Sequence, residues 1–144
     1  MATKSNVMDF GGLSLRVKDI TVGYLKPSAA IAAASAAIGY ITGTGGAVTQ
    51  ITSRTTGVTL NKPSGAITLV SAAGSATPAS FTVTCSSVAA TDTVVVSQKS
   101  GTDLYEIFVT AVAAGSFRIT SFTTGGTTTE QPVFNYAIVK GAAS

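Results

Sequence analysis

Between Val112 and Lys140 the chain reads VAAGSFRITSFTTGGTTTEQPVFNYAIVK. Apolar residues alternate with polar ones, threonine is abundant and charge is sparse. A period of two places every second side chain on one face, so the pattern requires strands with a single buried face. The β-branched residues favour the same backbone. Over the whole chain only 10% of residues are charged, while 45% are apolar; soluble domains carry about 25% charge. The apolar content supplies a core without covalent staples. The shortage of charge implies that neighbouring subunits, identical or different, cover much of the surface.

The same signal recurs from Gly43 onward. Val58 and Leu60 alternate within 57–61, a Lys62-Pro63-Ser64-Gly65 turn follows, and Ile67 and Leu69 resume the alternation, which predicts a hairpin. Phe81, Val83 and Cys85 share one face, with Thr82, Thr84 and Ser86 on the other. Val94-Val95-Val96 reads as a strand covered on both sides. Tyr105, Ile107 and Val109 interleave with Leu104, Glu106 and Phe108, a strand with few exposed positions. Ala113-Ala114-Gly115 turns the chain toward Phe117 and Ile119, Thr124–Thr127 is a loop tip, and Phe134, Tyr136 and Ile138 line one face of a terminal strand. About eight short strands at roughly ten-residue spacing predict an all-β domain, an antiparallel β-sandwich or jelly-roll-like fold.

Residues 43–144 form that β-sandwich domain, and 1–42 an N-terminal arm with a small-residue connector. In the arm, Leu13-Ser14-Leu15-Arg16-Val17-Lys18 alternates and suits addition to a sheet edge; an ordinary first strand of the domain is the other reading. The connector PSAAIAAASAAIGYIT, Pro27 to Thr42, fits a short helix capped by Ser28 and ended by Gly39, or an extended segment in a subunit interface; both stay open.

Histidine is absent, which removes the commonest general base and metal ligand. Serine- or cysteine-histidine catalysis is thereby excluded. The acids Asp9, Asp19, Asp92, Asp103, Glu106 and Glu130 are scattered, and Asp103 and Glu106 point to opposite faces of an extended strand. Asp92 and Asp103 suit loops. The expectation is no catalytic residue, no metal and no cofactor. Gly43-Thr44-Gly45-Gly46 lacks the Gly-Lys-Ser/Thr of a phosphate loop and reads as a turn before Val48. The net charge of +3 comes from nine lysines and arginines spaced singly, without the cluster that nucleic acid needs. No apolar run is long enough to span a membrane as a helix, and Asp9, Arg16, Lys18 and Asp19 interrupt any secretory signal core. Synthesis in the cytoplasm is the expectation. The one cysteine, Cys85, permits no intrachain disulfide and falls on an apolar strand face.

GGAVTQITSRTTGVTLNKPSG, Gly45 to Gly65, and AAGSFRITSFTTGGTTTEQPVFNYAIVKG, Ala113 to Gly141, resemble segments of small β-rich virion structural proteins of tailed bacteriophages. The resemblance covers about residues 39–141 and carries no catalytic residue. It implies a non-enzymatic virion protein, a capsid decoration or head-fibre subunit, often trimeric. Its partners would be the major capsid protein or another virion protein, with neither nucleic acid nor membrane bound. On this reading Phe10, Leu13, Leu15, Arg16, Val17 and Lys18 dock on the shell, and Ile31, Ile38, Phe134 and Tyr136 are candidates for the oligomer interface. Similar modules occur in tail fibres. The alternative is therefore a receptor- or glycan-binding module using Thr123–Thr129 with Tyr105 or Tyr136.

Overall fold

A computed structural model describes residues 39–40 and 43–141. Phe10, Leu13, Leu15, Arg16, Val17, Lys18, Ile31 and Ile38, with the arm and most of the connector, lie outside the described residues. In chain order the strands are β1 (Gly46–Thr49), β2 (Val58–Thr59), β3 (Ser64–Thr68), β4 (Ala72–Ala73), β5 (Ala79–Thr84), β6 (Thr93–Ser100), β7 (Tyr105–Ala113), β8 (Ser116–Thr123), β9 (Thr129–Glu130) and β10 (Val133–Val139). They form a first sheet in the order β1-β3-β10-β6, a second in the order β2-β5-β8-β7, and a two-stranded ribbon β4-β9.

The domain is all-β, as expected, but its sheets are mixed. β1 pairs with β3 in parallel and β2 with β5 in parallel, so each four-stranded sheet has one parallel edge. The expected hairpin over 57–69 does not form. Val58 lies in the second sheet and Ile67 in the first, and the chain crosses between sheets at Leu60–Pro63. Alternation identified both segments as half-buried, but two strands facing one core from opposite sides carry the same pattern as two strands side by side.

Ile67, Val94, Phe134, Tyr136 and Ile138 of the first sheet and Val58, Phe81, Val83, Phe117 and Ile119 of the second join in one buried cluster. Each such side chain contributes roughly 1.5–3 kcal/mol of transfer free energy. Phe117 and Tyr136 meet across the sheets with ring centroids 5.0 Å apart, and Tyr105 meets Phe134 edge-on at 5.5 Å. Phe81, Val83 and Cys85 are buried while Thr82, Thr84 and Ser86 are exposed, as their alternation requires.

β7 and β8 form the hairpin expected at Ala113–Gly115. Gly115 has φ +81°, a conformation that side-chain-bearing residues rarely adopt, and this fixes glycine at the turn. A register shift between Val109 and Ala111 bends β7. Two burial expectations fail. In β6 Val94 points inward and Val95 outward, 54% exposed, because no layer from the described residues covers the outer face of the first sheet, so the valine run is covered on one side only. In β7 Glu106, Phe108 and Thr110 are exposed, because the outer face of the second sheet carries no covering layer from the described residues.

Candidate functional site

The first sheet offers an open outward face. On its outward face Ala47, Ala66, Asn135 and Ser97 lie in one cross-strand row, and Ser64, Ala137 and Val95 in the next. Small side chains in these rows leave a shallow depression of about 420 Å³, with Lys99 at its rim. Val95 and Val139 stand out from the face at 54% and 57% exposure. Apart from Lys99 the lining is uncharged.

Two glycines set the backbone beneath this face. A Cβ at Gly46 would lie 2.8 Å from the Leu60 Cδ1 atom, and one at Gly65 would lie 2.5 Å from Leu60 Cδ2. Leu60 therefore seats against both strands as the chain crosses between sheets. The Tyr136 hydroxyl donates to the Leu60 carbonyl at 3.1 Å and the Lys62 carbonyl at 2.8 Å, holding the crossover from the core side. Burial pushes the Tyr136 phenol far above its ordinary pKa, with Cys85 adding to the effect. The Cys85 thiol also donates to the Lys62 carbonyl, at 3.3 Å.

Phe134 and Tyr136, taken from the sequence as interface candidates, are core residues at 0% and 3% exposure. The alternation of β10 marks a buried face, and within the described residues that face packs into the core shared with the second sheet. The outward residues of the same strand, Asn135, Ala137 and Val139, hold the surface positions.

The polar groups at the opposite ends of the strands are engaged internally. Arg54 donates from Nη1 to the Tyr105 hydroxyl at 2.7 Å and from Nε to the Val70 carbonyl at 3.4 Å. Its Nη2 reaches the Ala72 carbonyl at 2.5 Å and the Glu130 carbonyl at 3.0 Å. Burial raises the pKa of Tyr105, against the opposing pull of the Arg54 cation. The Glu130 carboxylate accepts the Thr102 and Asp103 amides. Asp103 accepts the Thr128 amide at 2.9 Å, and Gln98 brackets the same turn from Asp103 to Tyr105. Asp92 accepts from Lys140 Nζ at 2.7 Å and from the Ala89 and Gly141 amides, and the Lys140 bond leads in lowering its pKa.

These acids thus organise turns: Asp92 and Asp103 do sit in loops, and each accepts backbone donors there. Among the described residues no group of three histidine, cysteine or acidic side chains is placed to hold a metal ion, and no helix is long and apolar enough to cross a membrane. Of the residues offered for glycan contact, Tyr136 is enclosed, the Tyr105 hydroxyl is taken by Arg54, and the Thr123 hydroxyl bonds the Gly126 carbonyl inside its own loop. The Arg54 network escaped sequence reading because its partners lie 16 to 76 residues away. In comparisons with known proteins, no protein-family model, curated protein or solved structure matches the chain.

Proposed function

We propose that this chain is a non-enzymatic virion structural protein, a capsid decoration or head-fibre subunit whose β-sandwich domain self-associates, as a trimer, through the outward face of the first sheet. The single observation carrying the assembly reading is that face: small, almost uncharged and open, with Val95 and Val139 exposed at its edge. Such a surface costs little to desolvate against a second copy of itself. The shared core of the two four-stranded sheets supports the sandwich reading. The virion assignment is supported by the resemblance of residues 39–141 to phage structural segments. The arm around Leu13–Lys18 is the element proposed to dock on the major capsid protein, each contact weak and strengthened by multivalency.

Gold-labelled antibody on the parent virion, viewed by electron microscopy, tests the location. Label over the head supports decoration; label confined to the tail tip moves the chain to the receptor-binding class; an unlabelled particle refutes the virion reading. Sedimentation of the isolated chain tests the face. Ala137→Glu, a charge placed at the centre of the depression, is expected to give monomers that retain the wild-type melting curve. A wild-type chain that sediments as a monomer at all concentrations refutes self-association.

A further inference from the structure

On the second-sheet side of the domain lies a different surface, a groove of about 550 Å³ between the 52–55 loop and the 70–80 segment. This volume falls within the range of small-ligand sites. Hydroxyl side chains supply most of its lining, over a small apolar floor that includes Val70, Ala72 and Ala79. Arg54 is its one charged residue, and Nε, Nη1 and Nη2 of that guanidinium already donate to the Val70, Ala72 and Glu130 carbonyls and the Tyr105 hydroxyl. An anion entering the groove would therefore find its cation already engaged. By contrast, the hydroxyls of Thr52, Ser71 and Thr77 make no hydrogen bond among the described residues.

The groove continues in two directions. Ser75, Thr77 and Ala79 also line a small cleft that reaches Phe122. Phe122 stacks on Phe108 at 6.2 Å and 23°, and Phe108 is 49% exposed on an otherwise hydroxyl-rich sheet face. At the groove rim Ser80 Oγ lies 2.8 Å from Thr120 Oγ1, which lies 2.8 Å from Thr110 Oγ1. Arg118 Nε donates to Thr110 at 3.0 Å. A donor cation at one end favours relay of each hydroxyl proton toward the next acceptor. In that direction the Ser80 hydroxyl is left free to donate to an acceptor outside the chain.

We propose that this groove and the adjoining phenylalanine pair form a binding site for a neutral oligosaccharide. Pyranose rings present apolar C–H faces beside dense neutral hydroxyls, and here an exposed aromatic plate adjoins a groove of unpaired hydroxyls whose one charge, Arg54, is already engaged, while the exposed Glu106 opposite Phe122 disfavours an anionic sugar. Aromatic rings of this kind combine a large apolar contact with defined geometry. The site goes beyond the assembly reading and does not depend on it, because it uses the other sheet.

The test is saturation-transfer NMR and calorimetry of the whole chain with glucan, mannan and N-acetylglucosamine tetrasaccharides. At least one is expected to bind with a Kd in the range of about 0.1–10 mM. Phe108→Ala and Thr77→Val are each expected to weaken it by about tenfold or more, or roughly 1.4 kcal/mol. Thr93→Ala, an exposed position on the first sheet that lines neither the depression nor the groove, is expected to leave it unchanged. Both site residues are exposed, and unchanged melting curves will show that the variants fold. Absence of binding by all three probes at about 10 mM overturns the proposal. So does binding that neither Phe108→Ala nor Thr77→Val alters. Neither result bears on where the protein sits in a virion.

Discussion

Replacing Tyr136 by Phe isolates one hydroxyl at the point where the chain passes between sheets. That hydroxyl has one proton, shared between the Leu60 and Lys62 carbonyls at 3.1 and 2.8 Å. Its removal leaves neither carbonyl without a donor: Leu60 still accepts the Lys62 amide at 2.8 Å, and Lys62 still accepts the Cys85 thiol at 3.3 Å. The penalty for a stranded buried acceptor, about 1–3 kcal/mol, is therefore avoided, and the expected loss is that of one net hydrogen bond, about 1 kcal/mol. The ring remains to pack on Phe117. For an ordered domain of this size the melting temperature should fall by roughly 4–8 °C. Urea unfolding followed by circular dichroism, at two protein concentrations tenfold apart, measures it. A loss above about 3 kcal/mol would show that the remaining donors do not satisfy the carbonyls. No loss would mean that the hydroxyl is not bonded in the fold. A shift that grows with protein concentration would return Tyr136 to an interface, because only association links stability to concentration.

Phe134→Ala, at a site with no exposure, should cost about 3–5 kcal/mol in the same titration, since the ring fills the core against Tyr105. Asp92 has its pKa lowered by Lys140, so its contribution is present above the ordinary carboxylate pKa and is lost as pH falls through the folded value. Asp92→Asn should flatten the acid limb of stability below about pH 4 while leaving the slope between pH 6 and 8 unchanged. A Cβ at Gly126 would fall 2.1 Å from the Asp103 Cγ atom, so Gly126→Ala should destabilise by about 1–3 kcal/mol, and Asp103→Ala in the same chain should cost less than the sum of the two single changes. Cys85 has no exposed surface and should react with a thiol reagent only at the rate of unfolding; fast labelling of the native protein would contradict its burial.

What the sequence disclosed was local. The period-two pattern at Phe81, Val83 and Cys85 and at Phe134, Tyr136 and Ile138 marks a buried face directly; all six are buried, five of them in β5 and β10 and Cys85 just past the end of β5. The Ala113-Ala114-Gly115 turn was visible because it joins neighbours in both sequence and space. Pairing over distance was not visible. Nothing in Val58-Thr59 states that its partner is Val83-Thr84, and a two-residue strand carries too little pattern to show that the pairing is parallel. Val95 shows a different limit: β-branched propensity marks β6 as a strand, but local pattern does not say that the outer face of its sheet goes without a covering layer from the described residues. For the same reason the sequence named the inward residues of β10 as its contact surface, whereas Asn135 and Ala137 face out. The groove beside Ser71 and Thr77 draws on segments separated by β2 and β3 and is illegible as a site in the sequence.

The position of β10 has a consequence for how the protein is made. It is the last described strand to leave the ribosome, yet it lies between β3 and β6 and supplies both with their antiparallel partner. Until it emerges, β6 has no ladder in the first sheet and β3 has only the four-residue β1 beside it. The second sheet is complete earlier, since β2, β5, β8 and β7 all precede it. A nascent chain therefore carries one finished sheet whose apolar inner face waits for the other. Closure of the core comes at the end of synthesis, so a chain interrupted before Val133 would display that face to its neighbours as an aggregation surface.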